Sequence, residues 1–257
     1  MILTRLTRAI REQNWFAVTL EFLIVIAGVV IGFQITAWRE DVSQREMGRD
    51  YVERIVEELR ANQIRMRDHI AYMEWVEAHT IQAIRAIEDN EGTLGPDFIV
   101  DTYIAAHGTN TIIRRDSFDE LLSTGSLRTI SDADVRQGLI GFYAETDLAQ
   151  PILQIQSDFQ SRYRQAMPHE TISDLRQACA PMFNEETRDS LMFSVPGTCP
   201  PTLSDRQVSE AVDSLLAANL LPLLRESLAE IEIKQNYCLR IDNSVSRTLA
   251  LIERHMD

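Results

Sequence analysis

The sequence predicts an all-α protein in which a single N-terminal transmembrane helix continues into an elongated antiparallel helical bundle. Three observations carry this reading. Residues 15–38, WFAVTLEFLIVIAGVVIGFQITAW, form one apolar stretch between two tryptophans. Residues 39–90 hold no proline and one glycine, Gly48, and their apolar positions recur at three- and four-residue steps. A second stripe of this kind runs through residues 204–254, and no segment sustains the apolar–polar alternation of a strand.

At 1.5 Å per residue, residues 15–38 reach about 36 Å, enough to cross a hydrocarbon core of roughly 30 Å with some tilt. Trp15 and Trp38 then lie at the two water interfaces. A cleaved signal peptide is the competing reading, with Ile35-Thr36-Ala37 as a weak cleavage site. Such a leader would be long, would contain Glu21, and would leave Trp38 as the new terminus. Gly28 and Gly32 stand four residues apart on one helix face, where two backbones can approach closely. Glu21, seven residues before Gly28, falls on nearly the same face, and a carboxylate there should meet protein or headgroups rather than lipid. Glu21, Gly28 and Gly32 are therefore the expected helix–helix contact, made with a second copy or with another membrane protein.

Arginines precede the span at Arg5, Arg8 and Arg11 and follow it at Arg39, Arg45 and Arg49, so they do not set the orientation. Cysteine usage does. Cys179 and Cys199 flank a stretch rich in proline and glycine, and a disulfide between them would close a loop worth about 3 kcal/mol. Disulfides persist in the periplasm, which places the N-terminus in the cytoplasm and the bundle outside, anchored in a bacterial inner membrane. Residues 1–14, with Ile2, Leu3, Leu6 and Ile10 against the three arginines, read as a cytoplasmic amphipathic segment on the bilayer surface.

The net charge of −14 divides into +1 for residues 1–38 (three Arg, two Glu) and −15 for the rest. A domain this acidic repels phosphate backbones, which excludes nucleic acid as a partner. Lys234 is the only lysine in 257 residues, so lysine-dependent phosphate loops and nucleophiles are absent from most of the chain.

The extracytoplasmic domain, residues 39–257, opens with a long helix over 39–90, with a possible break at Gly48. Ile55, Leu59, Met66, Ile70, Met73, Ile84 and Ile87 mark its buried stripe. Residues 91–96 form a turn, and residues 97–106 a short helix. A helical piece over 117–124 is capped by Gly125, and Ser131 with Asp134 opens the next helix as a capping box. Pro151 should kink or break that helix, whose pattern resumes through Ile152, Ile155, Phe159 and Tyr163. Residues 167–203, with five of the eight prolines, read as an irregular excursion. Ser204 caps a last long helix, kinked at Pro222, whose stripe includes Leu215, Leu224, Ile231, Cys238, Ile241, Val245 and Ile252. Cys238 falls on this stripe and is expected to be a buried thiol.

Two stretches together resemble a family of bacterial single-span membrane proteins of unassigned function. The first is EFLIVIAGVVIGFQ at 21–34 with WRE at 38–40; the second is SFDELLSTGSLRTI at 117–130, followed by Val135-Arg136 and Phe142-Tyr143. The resemblance covers about half the chain and leaves out the Cys179–Cys199 excursion. It implies the topology and carries no catalytic residue.

Chemistry is sparse. His69, His79, His107, His169 and His255 show no metal-ligand spacing, and HExxH, GxSxG, GxGxxG and P-loop patterns are absent. The histidines are expected at the surface, as are the adjacent carboxylates Glu57 and Glu58, while Met47, Met66 and Met73 are expected in the core. No catalytic, cofactor or metal residues are expected. The expected role is a structural or interaction subunit of a membrane assembly. The alternative is a small-molecule sensor domain that signals through a partner transmembrane protein.

Overall fold

The computed structural model describes residues 15–89, 94–179, 182–183, 193–194, 199 and 202–256. The expected amphipathic segment 1–14 and parts of the 91–96 turn and the 167–203 excursion lie outside the described residues. The fold is all-α, as the periodicity predicts. A long N-terminal helix packs against the C-terminal helices, and the only pairing of extended chain among the described residues joins Met182–Phe183 to Phe193–Ser194.

Helix α1, Trp15–Asp89, is unbroken over 75 residues, about 110 Å. Its last 41 residues carry a stripe that includes Tyr51, Val52, Ile55, Leu59, Met66 and Met73, all buried. The chain returns along this stripe as α8, Leu221–Met256. Arg67 Nε donates to Asp242 Oδ1 at 3.0 Å, Gln63 Nε2 to Ser246 Oγ at 2.7 Å, Gln235 Nε2 to Glu77 Oε2 at 2.7 Å and Arg225 Nη2 to Glu88 Oε1 at 2.6 Å. Residue numbers rise on one helix as they fall on the other, so the pair is antiparallel. The α8 stripe, Leu224, Ile231, Cys238, Ile241, Val245 and Ile252, is buried as its spacing predicts.

No break occurs at Gly48. A Cβ at this position would overlap the carbonyl oxygen of Thr129, so glycine lets α1 pass directly against the 3₁₀ turn Ser126–Thr129. Gly48→Ala is expected to cost about 1–3 kcal/mol, the range for overpacking a close contact. Thermal unfolding of the detergent-solubilised chain reads this. An unchanged Tm would mean that the turn yields freely.

Helix α2, Pro96–Ala105, starts with proline in its first turn, where no amide partner is lost. Helix α3, Asp116–Ser123, ends as expected, with Gly125 in the left-handed region at φ 68°. Helix α4, Ala133–Leu153, is capped by Asp132 rather than by Ser131, because one Asp132 oxygen reaches the amides of both Asp134 and Val135. Pro151 is accommodated in the last turn of α4, and the break falls just after it, at 154–157. Ile155 therefore lies in the break and is exposed rather than on a buried stripe. Helix α5, Asp158–Ala166, follows.

The described part of the excursion holds a helix that its prolines do not suggest. Helix α6, His169–Cys179, begins after Pro168 and buries Thr171, Leu175 and Cys179 at four-residue steps. Ser204 opens helix α7, Asp205–Ala217, with a complete capping box to Gln207. The predicted long C-terminal helix is in fact two, because the chain breaks at 218–220, where Asn219 takes φ 49°. Pro222 sits in the first turn of α8, where its ring is tolerated, and kinks nothing. The core forms two clusters along α1, one near the apolar end (Ile55, Leu139, Tyr143, Val245) and one distal (Ile99, Phe159, Leu175, Leu215).

Candidate functional site

The described part of the apolar segment packs on nothing. From Val18 to Trp38 every described residue is exposed, and the helix is long and apolar enough to cross a membrane. Glu21, Gly28 and Gly32 share one face, and a Cβ on either glycine would have no atom within 4 Å. A side-chain bond at this level, from Thr36 Oγ1 to the carbonyl of Gly32 at 3.0 Å, is internal to the helix. The face expected to make the contact thus meets nothing among the described residues.

Helical phase fixes where that face points. Glu46 and Asp50 each lie eighteen residues beyond Gly28 and Gly32, about five turns of 3.6 residues, and so repeat the same direction. Gly48 and Val52, both packed into the bundle, lie two residues further on, about 200° around the axis. The Gly28/Gly32 face therefore points away from the chain's own bundle, and a second helix could reach it unobstructed.

Cys179 and Cys199 form the expected disulfide, with Cα atoms 4.8 Å apart. Cys238 is the free and buried thiol, and burial pushes its pKa up to about 12.

Three buried polar centres escaped the sequence reading. Lys234 is 2% exposed. Its Nζ donates to Thr109 Oγ1 at 3.2 Å, Asn110 Oδ1 at 3.0 Å and the Ile155 carbonyl at 2.5 Å. Burial lowers its pKa, and Glu230 opposes that shift. This single ammonium ties α8 to the 107–115 segment and to the break after α4. The signal was available: Lys234 stands at the three- and four-residue steps between Ile231 and Cys238 on the buried stripe.

His69, expected at the surface, is 5% exposed, and its Nε2 lies 3.0 Å from the Thr109 carbonyl. A carbonyl only accepts, so Nε2 carries the proton. Burial moves the His69 pKa down to about 4, with the nearby Lys234 acting in the same direction. The surface expectation failed because α8 and the 107–115 segment together cover a wider arc of α1 than one apolar stripe marks.

Glu58, also expected to be solvated, is 9% exposed. Its Oε2 accepts the Ser117 amide at 2.7 Å and its Oε1 accepts the Tyr143 hydroxyl at 2.5 Å. Met66 and Met73 are core residues as expected, but Met47 is exposed, on the flank of the buried stripe about 80° from Ile55.

Two further features are structural in their chemistry. Asp132, Asp134 and His255 bring one ligand atom each within 4.8 Å of the others. Both Asp132 oxygens are already engaged, Oδ1 by the Asp134 and Val135 amides and Oδ2 by His255 Nδ1 at 2.9 Å, so the group joins the end of α8 to the start of α4. His79 Nδ1 meets Asp101 Oδ1 at 2.6 Å, and Trp75 lies edge-on to both His79 and His107 at 5.5 and 5.9 Å. At the distal end a groove of about 490 Å³ is lined by Gln82, Arg85, Asp89, Asp97 and Asp101.

No family model, no curated protein and no solved structure matches this chain.

Proposed function

We propose that the chain is a single-span, membrane-anchored helical-bundle protein that serves as a structural or interaction subunit of a membrane assembly. In this reading residues 15–38 cross a bacterial inner membrane, residues 1–14 face the cytoplasm and the bundle stands in the periplasm. Membership of the single-span family that its span and its 117–130 segment resemble is part of the proposal. One observation carries it: an apolar helix with no packing partner among the described residues runs without interruption into a packed bundle, with its small-residue face turned away from that bundle. Such a helix holds the bundle at a fixed angle to whatever its other face meets. The Cys179–Cys199 disulfide supports an oxidising compartment.

The test is crosslinking mass spectrometry in mild detergent, comparing the wild-type chain with Gly28→Leu/Gly32→Leu. A specific self-contact or heterologous contact is expected in the wild type and is expected to vanish in the variant, because leucine keeps the backbones apart. A chain that is alone in both forms removes the interaction reading. The distal groove supports a second reading, a small-molecule sensor domain, and that outcome would turn the search to it.

A further inference from the structure

We infer that the outward face of α1 continues the contact face of the span as one docking surface, and that its occupant is a basic helix of a different membrane protein. The inference rests on the proposed role of the span and names the chemistry of its partner. Beyond Trp38 the stripe in phase with Gly28 and Gly32 opens with Arg39 and then runs through four carboxylates, Glu46, Asp50, Glu53 and Glu57, all exposed. These lie about 12 to 28 Å past Trp38 along the axis. None of the four makes an ion pair among the described residues: of the neighbouring arginines, Arg45, Arg54 and Arg60 pair with Asp41, Glu120 and Glu253, and the exposed Arg49 pairs with none of the four. Glu46 with Asp50, and Glu53 with Glu57, are like-charged pairs one turn apart, an arrangement that weakens a helix standing alone.

A second copy is the wrong occupant. Two parallel copies meeting at Gly28 and Gly32 would carry the four carboxylates towards their own images, and like charges brought together at an interface oppose it. A helix with arginine or lysine in its first turns outside the membrane neutralises the stripe and relieves both repulsive pairs. The bundle lies about 200° away and does not obstruct it.

The experiment places a photo-crosslinking residue in the full chain at Ile35 on the span face, at Glu53 on the outward face or at Leu239 on α8 as a control, in cells of the source organism. Crosslinked peptides are identified by mass spectrometry. The expected result is that the Ile35 and Glu53 probes capture the same membrane protein, that the Glu53-linked peptide is rich in arginine or lysine, and that Leu239 captures neither. In Asp50→Arg/Glu57→Arg the Glu53 crosslink should fall about tenfold or more, with the Tm unchanged. Capture of a second copy by Glu53, capture at Ile35 alone, a Glu53-linked peptide without basic residues, or a yield indifferent to charge reversal each overturns the inference and leaves the role of the span standing. Failure at both positions overturns the two together.

Discussion

Glu58→Ala is expected to destabilise the bundle by roughly 2–6 kcal/mol, because it leaves two buried donors unpaired and each costs about 1–3 kcal/mol. The first amides of a helix have no partner within it. Helix α3 has Arg115 at its N-cap position, and that side chain offers no capping bond. Glu58, from the long helix α1, supplies the missing acceptor through Oε2 to the Ser117 amide. Its other oxygen holds the Tyr143 hydroxyl, whose ring stacks on Phe118 at 4.0 Å and lies under the Arg115 guanidinium at 5.8 Å. One carboxylate thus joins α1, α3 and α4. Burial, the Glu58 charge and the bond to it all push the Tyr143 pKa upward, so the phenol remains the donor at any ordinary pH. Tyr143→Phe removes only one donor and leaves the Ser117 bond in place, so it should cost less, about 1 kcal/mol. Denaturant unfolding of both variants in detergent distinguishes these cases. A loss below about 1 kcal/mol for Glu58→Ala would mean that water reaches both donors.

The legible parts of the fold were those dictated by period. The stripes on α1 and α8 alternate at helical spacing over many turns, so burial at Ile55, Leu59, Ile231 and Val245 followed from sequence. The Cys179–Cys199 pair was legible from its proline-rich setting, and the phase of Gly28 and Gly32 from number alone. What failed depends on tertiary contact. Glu58 and His69 are charged or polar letters beside an apolar stripe, and their burial is decided by segments sixty and forty residues away in sequence. Gly48 reads as a helix breaker on propensity, yet it is the residue that lets α1 and the Ser126–Thr129 turn touch. Asn219 shows the reverse: a residue unremarkable within a helical pattern takes the left-handed conformation and splits one expected helix into two.

Acid is expected to unfold the protein through His69, which contributes roughly 3 kcal/mol of pH dependence between pH 6.5 and 4. In the folded chain the His69 pKa is down at about 4, chiefly by burial; the unfolded chain restores the ordinary value of about 6.5. Above pH 6.5 the ring is neutral in both states and the full stability is present. As pH falls below 6.5 only the unfolded chain binds the proton, so stability drops by up to about 1.4 kcal/mol per unit. The loss is complete near pH 4, where the folded ring protonates too. His69→Gln retains an N–H that can donate to the Thr109 carbonyl and removes the titration. Unfolding free energies of the two chains should agree within about 1 kcal/mol at pH 7.5 and diverge towards pH 4, with the variant then the more stable. Carboxylate titration is common to both chains and cancels in the difference. Parallel curves would show that the folded ring protonates at an ordinary pH and therefore reaches water. Lys234 sharpens the test, because its ammonium opposes the charging of His69. In a Lys234→Met background the folded His69 pKa should rise and the window in which the curves diverge should narrow from its acid side. A window left unchanged would assign the whole shift to burial.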